Sequence, residues 1–313
     1  MRFGLQINPY TLGATGNPWD CVTAAAATLD ASAFDLLWIY DHFLYEGGYP
    51  GHPFPEPVLE CFTTLGAIAA TTRRIRLGEL VVGVPYRNPA MLAKMATTLD
   101  LISHGRSILG LGASWHQREY EAYGWGEYEP PATRLKRLDE AIRLMQTLWS
   151  QQPASFEGAF YALKAVADFP APVQRPHPPL LVAGSGEKVT LRIAARYAQM
   201  CNVTGSPENV QRLFGVLHDH CERLQRPYAE VTRSIYATIV LAETEAALAA
   251  KREQWGAFLP PGTLLGTPAQ VIDQLGAYAA AGCQYLIFRT PDWFQLEPLE
   301  LFAREVIPAL AAA

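Results

Sequence analysis

Asp41-His42 closes a short apolar run, Leu36–Tyr40, and sets an imidazole beside a carboxylate. An imidazole titrates near neutrality, so His42 is placed to accept or deliver a proton beside an oxidation or reduction. Asp41 is expected to orient His42 or a bound ring. A second chemical signature is Pro178-Pro179-Leu180-Leu181-Val182-Ala183-Gly184-Ser185-Gly186-Glu187-Lys188-Val189, an apolar run ending in a small-residue loop. The backbone N–H groups of Gly184, Ser185 and Gly186, together with a helix expected from Glu187, make an anion site that suits a phosphate. A dinucleotide fingerprint is excluded. Val189 replaces the third glycine of G-x-G-x-x-G, and no acidic residue ends a strand about 20 residues on.

Other candidate chemistry falls away on spacing. Gly112-Ala113-Ser114-Trp115-His116 lacks the closing glycine of a nucleophile elbow. His218-Asp219-His220-Cys221 lies in a helical stretch, where positions two apart face different ways and cannot share an ion. No metal ligand set is expected anywhere, with His52 and His177 read as loop residues beside prolines. The 5 cysteines are scattered without a C-x-x-C pair, which fits a reducing, cytoplasmic setting.

Short apolar runs alternate with segments of helical period along the whole chain, and this order must position the chemistry. Strands are expected near Arg2–Ile7, Leu36–Tyr40, Ile75–Val82, Ser107–Leu111, Leu180–Ala183, Met200–Val203, Thr232–Leu241 and Tyr285–Phe288. A helix is expected after each strand, the last near Pro298–Leu310. Eight of each is the count of a closed (β/α)8 TIM barrel, an α/β fold, and residues 1–313 read as one such domain. Two segments exceed a bare barrel. Residues 151–177 hold a candidate hairpin with Gly158 in its turn, expected to fold over one end of the barrel. Residues 242–266 form an excursion with a helix from Thr244. Both are expected at the carboxyl-end rim, where such barrels carry their chemistry. The same rim collects Asn8, Asp41, His42, Gly83, Ala113, Ser114, the glycine loop, Asn202 and Arg289.

With 50% hydrophobic residues and 18% charged, the chain has material for a large core and is not disordered. A net charge of -5 offers no footprint for nucleic acid. No apolar run reaches the length of a membrane span, and no cleavable leader precedes the first strand, so no membrane partner is expected.

The chain resembles the bacterial luciferase-like superfamily of flavin and deazaflavin enzymes, most closely its coenzyme F420-dependent branch. The resemblance rests on Asp41-His42-Phe43, on Tyr86-Arg87-Asn88-Pro89-Ala90-Met91-Leu92-Ala93-Lys94, and on Leu99-Asp100-Leu101-Ile102-Ser103-His104-Gly105-Arg106. Arg175-Pro176-His177-Pro178-Pro179, Gly184-Ser185-Gly186-Glu187-Lys188 and Ala195-Arg196-Tyr197-Ala198-Gln199-Met200-Cys201-Asn202 extend it in the same order.

The resemblance implies a cofactor ring across the barrel mouth, held by Asp41, Gly83, Val84, Ala113, Ser114, Gly184, Ser185, Gly186, Glu187 and Asn202. It also implies a non-proline cis peptide after strand three, expected at Gly83-Val84, and His42 as the proton-transfer residue. The sugar-phosphate dehydrogenases of the superfamily carry a tryptophan four positions after this histidine and a glutamate just after strand four. Glu46 and Ala113 stand there instead. The expectation is therefore F420-dependent reduction of an activated C=C, C=N or C=O bond in a small organic substrate, within a pocket lined by Tyr45, Tyr86, Trp115 and Trp293. The alternative is an FMN-dependent monooxygenase working with a separate reductase. A homodimer is the expected assembly.

Overall fold

The computed structural model describes residues 1–44 and 57–311, so Tyr45, Glu46 and His52 lie outside the described residues. The chain opens with β1 (Arg2–Ile7), α1 (Pro18–Ala31), β2 (Leu36–Ile39) and α2 (Cys61–Thr71). A broken strand follows, β3 (Arg76–Glu79) and β4 (Val82–Gly83), then α3 (Pro89–Ile102), β5 (Ser107–Gly112), α4 (Gln117–Tyr123) and α5 (Pro131–Ser150). A hairpin of β6 (Ala154–Glu157) and β7 (Ala162–Val166) precedes β8 (Leu180–Ala183), α6 (Thr190–Tyr197), β9 (Met200–Val203) and α7 (Pro207–Arg223). The last third holds β10 (Thr232–Leu241), α8 (Glu245–Trp255), β11 (Leu264–Gly266), α9 (Pro268–Ala280) and β12 (Tyr285–Arg289). Helical turns from Glu297 to Ala311 close it.

All barrel pairings are parallel. They run from β1 through β2, β3, β5, β8, β9, β10 and β12 back to β1, which closes the sheet. The result is a (β/α)8 TIM barrel. Its strands are apolar on both faces because helices cover the outside while Leu36, Trp38, Ile108, Leu181, Tyr285 and Ile287 fill the inside. Side chains signal most helix starts, as the hydroxyl of Ser206 does in accepting the Asn209 N–H at the head of α7.

The third strand is not the single run Ile75–Val82 expected. Gly78 pairs with Ile108 and Val82 with Leu111, so β3–β4 carries one residue more than β5 over this interval, and Leu80-Val81 bulges out of the ladder. The non-proline cis peptide is Leu80-Val81, not Gly83-Val84. Gly83 has already returned to the ladder opposite Gly112, and Val84 begins a 3-10 turn.

The placement of one insertion also differs. Residues 242–266 do issue from the carboxyl end of β10. Residues 151–177, however, join α5 to β8, and a helix returns the chain to the opposite face of such a barrel. The hairpin lies along α5, where the Glu140 carboxylate accepts the N–H groups of Ala159, Phe160 and Tyr161 across its turn.

Candidate active site

At the carboxyl ends of the strands lies a cavity of about 680 Å³. The bulge Leu80-Val81 forms part of its wall, held by a 2.6 Å hydrogen bond from Gln6 Nε2 to the Leu80 carbonyl. Gly110 makes this bulge possible. A Cβ at that position would collide with the carbonyl of Glu79.

The glycine loop forms the opposite wall. Gly184 has φ +131°, a conformation that side-chain-bearing residues avoid, and Gly184, Ser185 and Gly186 all face the cavity. The helix does not start at Glu187. A turn occupies residues 187–189 and α6 begins at Thr190, with the Gly186 carbonyl accepting from Leu191 N–H. Glu187 leaves the site and pairs with Arg212 on α7 at 2.8 Å. Val84 is likewise absent from the wall and sits in the core.

The remaining expected residues converge. His42, Asp41, Gly83, Ala113, Ser114 and Asn202 all line the cavity, as do Tyr86 and Trp115. Trp293 does not. It is fully buried, and its Nε1 donates to the Pro9 carbonyl at 2.7 Å.

Asp41 is engaged away from His42. Its two oxygens accept from Arg87 at 2.6 and 2.9 Å, and one also accepts from Gly83 N–H at 3.2 Å. Burial raises the Asp41 pKa, and the Arg87 guanidinium offsets only part of that rise. Its work is to tie the end of β2 to the β4 turn beneath the cavity.

The residue that orients His42 is Glu119, from α4. Its Oε2 lies 3.1 Å from His42 Nδ1 and accepts from the Tyr86 hydroxyl at 2.6 Å. Its Oε1 accepts from the N–H groups of Phe43 and Leu44. Burial alone would raise the Glu119 pKa, but the hydrogen bond and charge of His42, then the Tyr86 hydroxyl and the Phe43 N–H, pull it down to about 2. The Glu119 side chain is shut off from solvent, whereas His42 keeps 18% of its side chain exposed. With Nδ1–H directed at the carboxylate, Nε2 is the ring nitrogen left for a molecule in the cavity. Ser114 donates to the Tyr86 hydroxyl at 2.9 Å and so extends this chain of contacts along the wall.

Sequence reasoning missed Glu119. The local sign was His116-Gln117-Arg118-Glu119, an i, i+3 spacing that puts both side chains on one side of a helical turn.

A phosphorylated ring cofactor fits this architecture on two observations. Asn8 Oδ1 is buried in the cavity wall with no hydrogen-bond partner among the described residues, and so offers an acceptor to a bound donor. The glycine loop presents small residues where side chains would otherwise fill space.

Residues 1–262 match the family model described as luciferase-like monooxygenase. The chain belongs to the luciferase-like family. A relative of this luciferase-like protein is Uncharacterized protein Rv0953c of Mycobacterium tuberculosis, 31% identical over 289 residues that cover 89% of this chain and 96% of that one. Another is the F420-dependent glucose-6-phosphate dehydrogenase of Amycolatopsis mediterranei, 26% identical over 92% of this chain and 93% of its own. Among solved structures, the monooxygenase RslO1 from Streptomyces bottropensis superposes with a TM-score of 0.83 at 23% identity, covering 98% of this chain and 99% of its own. An F420-dependent secondary alcohol dehydrogenase in complex with an F420-acetone adduct gives 0.79 at 18% identity, covering 99% and 98%. The last two likenesses show the fold.

Proposed function

We propose that this luciferase-like protein is an F420-dependent oxidoreductase that reduces an activated C=C, C=N or C=O bond of a small organic substrate. The observation that carries the reading is the His42–Glu119 pair at the edge of the glycine-loop cavity. It supplies one proton-exchanging nitrogen, fixed in direction, beside space for a ring. The F420 dependence named for the Amycolatopsis relative supports the same cofactor here.

Coenzyme F420 supplies a hydride at its deazaflavin C5 when bound. The protein's own contribution is proton management and placement. His42 donates from Nε2 as the substrate takes up negative charge, and Glu119 stabilises the imidazolium that precedes donation. Gly184, Ser185 and Gly186 would hold phosphate through backbone N–H groups. Leu80 and Val81 would support the ring from the wall, while Trp115, 70% exposed on the rim, would cover an apolar substrate.

Fluorescence quenching titrations with F420 and with FMN, run side by side on the purified protein, test the reading. Saturable F420 binding at lower concentration than FMN is expected. Tight FMN binding with negligible F420 affinity overturns it in favour of a monooxygenase that relies on a separate reductase.

A further inference from the structure

We infer that His42, His116 and Glu119 form a binding site for a divalent transition-metal ion of the Zn2+ type. The three ligand atoms lie within 4.8 Å of one another. His42 Nδ1 is 3.1 Å and His116 Nδ1 is 3.4 Å from Glu119 Oε2. A tetrahedral ion with bonds of about 2.0–2.1 Å holds neighbouring ligand atoms about 3.3 Å apart, so these edges need little adjustment.

The arrangement leaves one group unsatisfied without an ion. Glu119 Oε2 has room for two donors, and His42 Nδ1 and the Tyr86 hydroxyl take both places. His116 Nδ1 is buried, points into the same cluster and has no hydrogen-bond partner among the described residues. Its distance to Oε2 is short enough for an ion pair, but hydrogen-bond geometry is lacking. A metal ion would satisfy both imidazole nitrogens and the carboxylate at once. Glu119 is already oriented for this, because Tyr86 and the Phe43 and Leu44 N–H groups hold it as outer hydrogen bonds hold a ligating carboxylate. Two imidazoles and one carboxylate favour zinc, nickel, cobalt or copper over magnesium or calcium. Three protein ligands leave a fourth position for water.

Titrating the EDTA-treated, dialysed protein with Co2+, read by visible d–d absorption, and then displacing it with Zn2+ tests the site directly. Expected are one ion per chain with a four-coordinate spectrum, weakening of about 10-fold in Tyr86→Phe and about 100-fold in His116→Gln. A purely aquo-type Co2+ spectrum, or equal affinity in wild type and both variants, overturns the site. Circular dichroism matched to wild type confirms that each variant is folded.

Discussion

His42 Nδ1 lies 3.1 Å from Glu119 Oε2 across 77 positions of sequence. The same carboxylate holds the backbone that carries the histidine, through the N–H groups of Phe43 and Leu44. Ring direction, tautomer and loop position therefore depend on one buried acid contributed by a helix that follows β5, two strands away from β2 around the barrel.

Replacing that acid by its amide keeps the volume and removes the charge. Glu119→Gln is expected to lower kcat with F420 by about 100-fold, within the range for a positioned acid-base group, while the dissociation constant of the cofactor stays at the wild-type value. Steady-state kinetics beside a fluorescence titration check this. Wild-type kcat in the folded variant would remove Glu119 from the proton path.

Removing the imidazole itself should cost more. His42→Ala is expected to lose about 100- to 10,000-fold in kcat with cofactor binding retained. Single-turnover oxidation of reduced F420 measures it free of product release. Turnover at the wild-type rate would reassign His42 to ring contact alone.

The barrel was legible because its strands carry a pattern few folds share. Leu180–Ala183, apolar on both faces, and Met200–Val203, apolar but for Asn202, are short runs bounded by turn residues, and they appear as β8 and β9 with those limits. The glycine loop was legible for the same reason, as local punctuation at a strand end. What escaped was nonlocal or lacked punctuation. The bulge at Leu80-Val81 adds one residue between Glu79 and Val82, with neither glycine nor proline at the two bulged positions, and only the register against β5 exposes it. Glu119 takes the orienting part expected of Asp41 because Arg87 and His42, which claim the two acids, reach them only through the closed barrel.

The bulge makes a prediction about Gly110. A methyl group there meets the Glu79 carbonyl, part of a paired backbone that cannot turn aside. Gly110→Ala is expected to destabilise the protein by about 3 kcal/mol through overpacking. Urea denaturation followed by circular dichroism measures it, and an unchanged midpoint would show that the bulge relaxes freely.

Arg87 and Asp41 make a further one. Arg87 joins Asp41 to Glu60, whose oxygens accept from Phe62 and Thr63 N–H at the start of α2. Arg87→Leu leaves the Asp41 charge buried without its partner, a loss expected at about 3–5 kcal/mol. Asp41→Asn in the same chain should recover part of that loss, because the amide carries no charge. Additive effects in the double-mutant cycle would mean that the two groups do not interact energetically.

Glu79 faces Cys61 and the Asp41–Arg87 pair from a fully buried position, accepting from Gly110 N–H at 3.3 Å. Burial pushes its pKa up to about 8. An unfolded glutamate titrates near about 4.3. Between those values the native chain holds a proton that the unfolded chain has released, so stability falls as pH rises through this window. The slope is at most about 1.4 kcal/mol per pH unit, and it levels off above the folded-state value. Glu79→Gln carries no ionisable group and should remove this slope. Its stability relative to wild type should therefore rise steadily from about pH 5 to about pH 8. Urea denaturation at each pH measures the difference, and wild-type and variant curves that run parallel across the window would show that Glu79 is already ionised in the fold.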